Sequence, residues 1–253
     1  MKKGKETNYG SVEWFINEYA RVDDDPWGLS WRPSQRVRYA RILSLLDNIK
    51  NIPTSILDLG CAIGDFTYLL ASKYGLKSSV TGIDFVEDAI ERARIKYPQL
   101  HFRVGSIFDA GREYEGQMDL VTCLEVFYYL YRNECSRALV SIKESLKPGG
   151  HAVFSSLISK PPYFSLNELR NLVSTEFSLV KAETIHVKLI SIFEKIIVKL
   201  EKIGKKKGLF KNNNYARNIF MTVPFRGVDF VEKYCAHIGD LSASHAVVIA
   251  RRI

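Results

Sequence analysis

A glycine-containing loop between residues 60 and 64 is the segment of the sequence best suited to hold a ligand. Gly60 and Gly64 lack a Cβ atom, so the backbone there can adopt unusual torsion angles and pass close to a bound molecule. A helix that begins directly after the loop would point its free N–H groups at that molecule. Asp58, just before the loop, can accept hydrogen bonds from a ligand ammonium group or organise the loop. We therefore predict that Asp58, Gly60, Cys61, Ala62 and Gly64 contribute to a cofactor site.

A second acid supports this prediction. Asp84 ends the next predicted strand, 20 residues after Gly64. A carboxylate at this position in a dinucleotide-type fold binds the two hydroxyls of a ribose. The alternative is that Asp84 only caps the helix that follows, since Asp is a favoured N-cap residue. The combination of strand, glycine loop, helix and acid-ended strand favours an adenosine-containing ligand.

The residue after the loop, Asp65, discriminates between adenosine cofactors. Nicotinamide dinucleotides place a pyrophosphate at the start of this helix, and their fingerprint is GxGxxG. Here the loop reads Gly-Cys-Ala-Ile-Gly-Asp, and the Asp65 carboxylate would repel a pyrophosphate. A phosphate-free cofactor such as S-adenosylmethionine tolerates that charge, which also favours the helix dipole.

The elements that must position these residues alternate between strands and helices. The pattern predicts strands at 55–59, 79–83, 100–104, 118–124, 151–157, 177–187 and 245–250. It predicts helices at 35–47, 66–74, 88–97, 134–146 and 166–174. This alternation is typical of an α/β, doubly wound, mostly parallel seven-stranded sheet with helices on both faces. Ligands of such sheets lie outside the carboxyl ends of the strands.

Segment boundaries follow from the same pattern. We predict an N-terminal helical cap at 1–50, a cofactor-binding core at 51–187, a basic helical insertion at 188–243 and the last core strand at 244–253. Apolar residues make up 46% of the 253 residues, enough for a packed core. The four cysteines form no CxxC pair and the histidines show no metal-ligand spacing, so we expect neither a metal site nor disulfides. No signal peptide or membrane-spanning run is predicted, which favours a soluble cytoplasmic protein.

The net charge of +8 is concentrated in one segment. Residues 188–217 contain nine basic residues against two acids, a local net charge of +7. A local basic patch is therefore a better interpretation than a general nucleic-acid coat. Within the segment, apolar residues recur every three or four positions, as in an amphipathic helix. The helix either packs on the sheet or acts as a lid with a solvated lysine face, or residues 188–211 contact an anionic membrane or a lipid-linked phosphate.

The segment 56–157 resembles the class I S-adenosylmethionine-dependent methyltransferases. Asp-Leu-Gly-Cys-Ala-Ile-Gly at 58–64 is similar to their first motif, with Ala62 where a glycine is commoner. Gly-Ile-Asp-Phe at 82–85 is similar to the second, in which the resemblance implies that Asp84 binds the ribose and Phe85 lies against the adenine. Ser106 and Ile107 stand where many members have an acid that contacts the adenine amine. The resemblance implies a Rossmann-like fold, with Leu124 also lining the cofactor site.

Shorter motifs resemble a narrower family, the nodulation-type N-methyltransferases (NodS-like). The similar segments are Asp-Asp-Pro-Trp-Gly at 24–28, Arg-Tyr at 38–39 and Glu-Val-Phe-Tyr-Tyr-Leu at 125–130. The resemblance implies transfer of a methyl group to nitrogen, in that family on the amino sugar of a chito-oligosaccharide.

Several side chains near these motifs are candidates for the reaction. Glu125 can orient the cofactor or an acceptor amine, and Tyr128 and Tyr129 can line an acceptor pocket, although Phe and Tyr side chains at this position are also suited to the core. We assign Phe127 to the core. The rings of Trp27 and Trp31 can stack on a sugar or close over the cofactor.

Arg38 is the candidate partner of the methionine carboxylate, because its planar guanidinium suits that anion. A solvated helix face is the alternative for this residue.

We therefore predict a methyltransferase acting on a small-molecule or sugar-containing acceptor, with nitrogen preferred over oxygen. Two alternatives remain open. The basic segment allows an RNA methyltransferase, although aromatic residues do not alternate with the lysines as in single-strand binders. The replacement of the adenine-contacting acid by Ser106 allows a non-catalytic binding protein with a degenerate core.

Overall fold

The computed structural model describes residues 9–21, 25–207, 215–222, 225–237, 239 and 242–253. The strands, numbered in chain order, are β1 (Ser55–Leu59), β2 (Ser79–Asp84), β3 (His101–Val104), β4 (Met118–Leu124), β5 (Leu146–Leu157), β6 (Ser178–Ile185) and β7 (His245–Arg251). The helices are α1 (Val12–Arg21), α2 (Pro33–Leu45), α3 (Asp65–Tyr74), α4 (Glu87–Lys96), α5 (Ala110–Glu113), α6 (Arg132–Ser145), α7 (Leu166–Val173), α8 (Lys188–Lys206), α9 (Tyr215–Thr222) and α10 (Phe225–Ala236).

The strands form one sheet in the order β3-β2-β1-β4-β5-β7-β6. Parallel ladders join β3 to β2, β2 to β1, β1 to β4 and β4 to β5. Strand order reverses between β1 and β4, which creates the crevice where doubly wound folds bind ligands. The predicted α/β fold with a mostly parallel seven-stranded sheet is confirmed.

The central strands are apolar because both of their faces are covered. Leu57, Val121 and Phe154, from β1, β4 and β5, are fully buried in one cluster with the apolar residues of α6. Burial on both faces explains why these strands appear in the sequence as continuous apolar runs rather than as alternating patterns. This rigid sheet holds the loops at its carboxyl edge.

Strand β5 begins earlier than predicted. The sequence predicts this strand at 151–157, but β5 already starts at Leu146 and includes the segment Lys-Pro-Gly-Gly at 147–150. Met118 pairs with Leu146 and Leu120 pairs with His151, so an irregularity between Met118 and Leu120 accommodates the extra residues. The ladder is interrupted at this irregularity and resumes with the pair of Leu120 and His151.

Contacts divide the chain into two compact units. The first comprises residues 1–26, 49–183 and 246–253 and contains most of the sheet. The second comprises residues 27–48 and 184–245 and contains α2, α8, α9 and α10. Residues 27–48 thus group with a segment far along the chain, a pairing that no sequence pattern indicated.

The second unit is joined by buried carboxylates that cap helices. Glu194 on α8 accepts hydrogen bonds from the backbone N–H and the hydroxyl of Ser34 at the start of α2, at 2.6 and 2.8 Å. Glu201, also on α8, accepts from the backbone N–H groups of Tyr215 and Ala216 at the start of α9, both at 3.2 Å. Each acid satisfies N–H groups that a helix start leaves unpaired.

Candidate active site

The loop after β1 adopts a left-handed backbone at three positions. Gly60, Ala62 and Gly64 have φ values of 73°, 49° and 82°. A side chain at Gly60 would overlap Val126, and a Cβ atom at Gly64 would lie 2.6 Å from the Phe102 ring. The glycines are therefore required by the loop's own conformation and packing, whatever ligand it holds. Ala62 occupies a conformation that glycine adopts more easily, at a cost of roughly 1 kcal/mol.

Asp84 fixes this loop to the end of β2. Its buried carboxylate accepts hydrogen bonds from the N–H groups of Ala62 at 2.9 Å and Val86 at 3.0 Å. Burial raises the pKa of this carboxyl, while the backbone N–H groups lower it. An ionised carboxylate has about four acceptor positions, so these bonds leave capacity for ribose hydroxyls. The alternative that Asp84 caps α4 is wrong, because Val86 is the N-cap residue of that helix and the helix start has no side-chain cap.

Asp58 is held inside the sheet. The hydroxyls of Thr67 and Thr122 each donate to one of its oxygens at 2.7 Å. Burial raises the pKa of Asp58 to about 6, the two hydroxyls lower it, and the nearby charge of Asp84 raises it further. Asp58 thus joins β1 to α3 and β4. Of its two predicted roles, binding a ligand ammonium group or organising the loop, these contacts favour the second.

Asp65, the first residue of α3, is buried and paired. Lys96 Nζ and the Tyr97 hydroxyl each lie 2.8 Å from its Oδ1 atom. Burial raises the pKa of Asp65, and the contacts with Lys96 and Tyr97 lower it. The start of α3 therefore carries a carboxylate, which disfavours a pyrophosphate at this position, although Lys96 offsets part of the repulsion.

The residues that follow β2 and β3 contribute an exposed aromatic ring and a short turn. Phe85 follows β2 and keeps 42% of its surface exposed, while its edge contacts the Phe15 ring at a centroid distance of 5.3 Å. Ser106, after β3, accepts a hydrogen bond from the N–H of Phe108 and so caps the short turn that begins at Ile107. The Gly105 N–H donates to the Asp84 carbonyl at 3.0 Å, which places this turn beside the ribose acid.

Glu125 lies at the tip of β4, directly after the buried Leu124, in a left-handed conformation with φ 62°. Its carboxylate accepts hydrogen bonds from the Ser155 hydroxyl at 2.7 Å and from the Leu157 N–H at 2.9 Å. A glutamate at positive φ costs about 1 kcal/mol or more and persists only where surrounding contacts enforce it. The contacts to β5 fix the carboxylate at the carboxyl edge of the sheet.

A cluster of aromatic rings lies beside Glu125. Tyr128 and Tyr129 form a short turn after β4, with ring centroids 4.5 Å apart. Tyr163 lies 4.8 Å from the Tyr128 ring, and its hydroxyl is 3.1 Å from that of Tyr9. We call this group the tyrosine cluster; its members are Tyr9, Tyr128, Tyr129 and Tyr163. Trp14 and Phe15 of α1 pack against it through Tyr129.

Three phenols of the tyrosine cluster, those of Tyr9, Tyr129 and Tyr163, are protonated near neutral pH. Burial raises the pKa of Tyr9 and of Tyr129, and it raises the pKa of Tyr163 to about 12, with the charge of Glu125 adding to the shifts of Tyr129 and Tyr163. The phenols can therefore donate hydrogen bonds and present ring faces to a ligand, but they do not act as strong bases.

A comparison with family models places the chain. Residues 51–220 match the model described as a methyltransferase domain, which spans most of the chain. The chain belongs to the methyltransferase domain family. The predicted methyltransferase is thereby confirmed.

Curated relatives of this methyltransferase include nodulation proteins. It is 36% identical over 135 residues to nodulation protein S of Rhizobium tropici, a match that covers 53% of this chain and 55% of the relative. It is 27% identical over 169 residues to a ubiquinone biosynthesis O-methyltransferase of Xanthomonas euvesicatoria, covering 64% and 67%. The chain thus spans a little over half the length of the nodulation protein.

A solved structure shares the fold. The N-methyltransferase NodS of Bradyrhizobium japonicum WM9, in complex with S-adenosyl-L-homocysteine, has a TM-score of 0.60 and 18% identity. That match covers 94% of this chain and 97% of the other. The predicted class I fold type, the resemblance to the nodulation-type members and the predicted cofactor, S-adenosylmethionine, are confirmed.

The residues of the methyltransferase fit its cofactor. S-adenosylmethionine supplies an electrophilic methyl group on a positively charged sulfur. Asp58, Asp65 and Asp84 place three carboxyl groups around the loop, an arrangement that suits a cation and opposes a phosphate. Phe85 offers an exposed ring next to Asp84, where an adenine could stack.

The predicted site residues divide between the two units. The carboxyl edges of β1, β2, β3 and β4 bring together the loop residues at 58–64, Asp84, Phe85, Ser106, Ile107, Leu124, Glu125, Tyr128 and Tyr129. Phe127 is fully buried against Phe154, so its assignment to the core is confirmed.

Trp27, Trp31 and Arg38 belong to the second unit, and their roles stay predictions. Arg38 is buried with its guanidinium 4.8 Å from the Tyr39 ring, so the alternative of a solvated helix face is wrong. The Trp31 ring stacks on Phe220 at 5.9 Å.

Four residues of the site escaped the sequence reasoning. Tyr9, Trp14, Phe15 and Tyr163 surround the candidate acceptor side but belong to no motif. The aromatic character of residues 1–34 was the available signal. It could not show that Tyr9 meets Tyr163, 154 residues away.

Proposed function

We propose that the enzyme transfers the methyl group of S-adenosylmethionine to a nitrogen atom of a small-molecule or sugar-containing amine. The observation that carries the proposal is the fixed Glu125 carboxylate beside the tyrosine cluster, at the edge of the sheet where the cofactor loop also lies. A negative charge and several ring faces attract an amine and the ammonium ion that its methylation produces. The NodS-like motifs support the same type of acceptor.

The chemistry around Glu125 favours nitrogen over oxygen. A neutral amine attacks with its own lone pair, whereas a hydroxyl acceptor needs a base to remove its proton. The raised pKa values of Tyr129 and Tyr163 keep both phenols protonated. In the described part of the first unit, His101 begins β3 and His151 pairs with Leu120 within β5, so neither lies at the carboxyl edge.

Each site residue then has a role. We assign the orientation of the amine to Glu125 and the walls of the acceptor pocket to Tyr128 and Tyr129. Methyl transfer needs an in-line approach, so positioning of the two partners supplies most of the acceleration. We further propose that Trp27 and Trp31 stack on a sugar ring of the acceptor.

On the cofactor side, Asp84 binds the ribose, Phe85, Ser106 and Ile107 surround the adenine, and Arg38 pairs with the methionine carboxylate. The loop from Gly60 to Gly64, with Leu124, holds the remainder of the cofactor. These assignments combine the geometry of the strand edge with the family motifs.

We also propose a cytoplasmic location. The four cysteines, Cys61, Cys123, Cys135 and Cys235, are free and buried, which suits a reducing compartment. Cell fractionation followed by immunodetection tests this, and recovery of the protein from an extracellular or periplasmic fraction would contradict it.

A product analysis tests the acceptor. The enzyme is incubated with methyl-labelled S-adenosylmethionine and either a chito-oligosaccharide with one free amine, the fully acetylated oligosaccharide of the same length, or a catechol. We expect the label on the free amine alone, identified by mass spectrometry. Label on the catechol and none on the amine would contradict nitrogen transfer and favour the O-methyltransferase relatives.

A further inference from the structure

Helix α8 exposes its apolar side rather than burying it. One of the interpretations that the sequence allows is an apolar face packed inward with the lysines in solvent. In the structure Leu189, Ile192, Phe193, Ile196, Leu200 and Ile203 each keep between 42% and 60% of their surface exposed. At about 3.6 residues per turn these six positions lie within one arc of about 100°, so they form a continuous stripe. We call these six residues the apolar stripe.

A row of lysines runs along one edge of the apolar stripe. Lys188, Lys195, Lys199, Lys202 and Lys206 are all exposed and share the adjoining side of α8. The two acids of the helix, Glu194 and Glu201, face inward, where they cap α2 and α9. The exposed charges of α8 are therefore all positive.

We infer that α8 lies on an anionic lipid bilayer, with the apolar stripe in the boundary between headgroups and acyl chains and the lysine row on the lipid phosphates. An exposed apolar arc bordered by lysines is the arrangement of helices that lie in a membrane interface. Each lysine close to an anionic surface adds attraction, and five lie on one helix of 19 residues. None of the described helices is long and apolar enough to cross a membrane, so the contact is peripheral.

The lysine row favours an anionic bilayer over a second copy of the chain as the partner of the apolar stripe. In an antiparallel packing of two copies on the apolar stripe, the two lysine rows would lie on the same side of the contact, and like charges at close range oppose association. A bilayer that contains anionic lipids presents the opposite charge and a deformable apolar layer. The portion 208–211 of the basic segment lies outside the described residues, so the inference rests on α8 alone.

Vesicle sedimentation tests the inference. The full chain is mixed with vesicles of phosphatidylcholine alone or of phosphatidylcholine and phosphatidylglycerol in equal parts. We expect binding to the mixed vesicles, weak binding to the neutral ones, and release by salt. Phe193→Ser combined with Ile196→Ser is expected to weaken binding by at least about tenfold. Lys195→Gln and Lys199→Gln are each expected to weaken it by roughly fivefold.

A matched control distinguishes the loss of the apolar stripe from the loss of any exposed apolar side chain. Ile95→Ser removes an isoleucine that is 81% exposed on α4 and should leave vesicle binding unchanged. Circular dichroism and titration with S-adenosylmethionine verify that every variant is folded and retains its cofactor site.

Three results would overturn the inference. The first is no binding to the mixed vesicles, and the second is binding that depends on the lysines but not on the apolar stripe. The third is a dimer, seen by sedimentation velocity, that Phe193→Ser and Ile196→Ser dissociate. The second result would indicate that the lysine row binds polyanions, such as RNA, by charge alone. The third would indicate that the apolar stripe binds a second copy of the chain.

Discussion

Glu125 is the side chain that most directly links the fold to the proposed reaction. Its unfavourable φ of 62° persists because Ser155 and Leu157 hold the carboxylate from β5. A residue kept in a costly conformation by its surroundings is a candidate for function. The sequence indicated this residue through its place after a buried strand, but the contacts to β5 could not be predicted from the motif.

Glu125→Gln tests this role. The amide keeps the size of the side chain but loses the negative charge, so we expect kcat for the amine acceptor to fall by roughly a hundredfold. Steady-state rates across a pH series give kcat, KM and the pH profile. A purely structural role would instead lower the melting temperature and leave kcat of the folded fraction unchanged.

Asp58 makes the stability of the cofactor-free enzyme depend on pH. Its pKa of about 6 in the folded protein lies above the ordinary aspartate value of 3.8, so the folded state favours the protonated form. This stabilisation is fully present below pH 3.8 and is lost as the pH rises through about 6. Asp58→Asn cannot ionise and does not undergo that loss.

The measurement is the difference in melting temperature between Asp58→Asn and the wild type at a series of pH values. We expect the difference, variant minus wild type, to increase between pH 3.8 and about 6 and then to level off. A difference that stays constant or decreases across this window would show that burial does not raise the pKa of Asp58.

At the scale of elements, Asp119 joins three strands at the edge opposite the site. Its carboxylate accepts hydrogen bonds from the backbone and hydroxyl groups of Thr54 and Ser55, before and at the start of β1, and Lys147 of β5 lies 2.7 Å away. Partial burial raises its pKa, but the hydrogen bonds and Lys147 outweigh burial and hold the pKa well below its usual range.

Asp119→Asn is expected to cost about 1–3 kcal/mol of unfolding free energy at neutral pH. A carboxyl with a lowered folded pKa stabilises the protein above its unfolded pKa, and this contribution is lost as the pH falls. The cost of the substitution should therefore shrink in acid. Urea unfolding measures it, with Asp109→Asn as the control, since Asp109 forms an ion pair with the exposed Arg112. Equal effects of the two substitutions would contradict the account.

Elements of the sheet were predictable because burial on both faces leaves continuous apolar runs between glycine and acidic turn residues. Helix α8 shows the limit of such reasoning. Its periodicity established an amphipathic helix, but not which side is covered. That side is fixed by Glu194 and Glu201, whose partners Ser34 and Ala216 lie elsewhere in the chain.

At the scale of the whole molecule, the two units differ in how much of their structure the sequence predicts. The first unit carries the motifs of the methyltransferase family, and its strand edge assembles most of the predicted cofactor residues. The second unit combines residues 27–48 with 184–245 through contacts that no motif encodes. The tyrosine cluster likewise depends on contacts between distant segments, which explains why half of it was missed.

The central claim is that the loop at 60–64 and Asp84 bind S-adenosylmethionine rather than a dinucleotide. Isothermal titration of the wild type with S-adenosylmethionine and with NAD tests it directly. Asp84→Ala is the informative variant, and Asp88→Asn, at an exposed acid of the same helix start, is the matched control.

We predict that the wild type binds S-adenosylmethionine and does not bind NAD. Asp84→Ala should weaken the binding of S-adenosylmethionine by about tenfold to a hundredfold, because hydrogen bonds are lost, and Asp88→Asn should have no effect. Binding of NAD alone, or an unchanged affinity for S-adenosylmethionine in Asp84→Ala, would contradict the account.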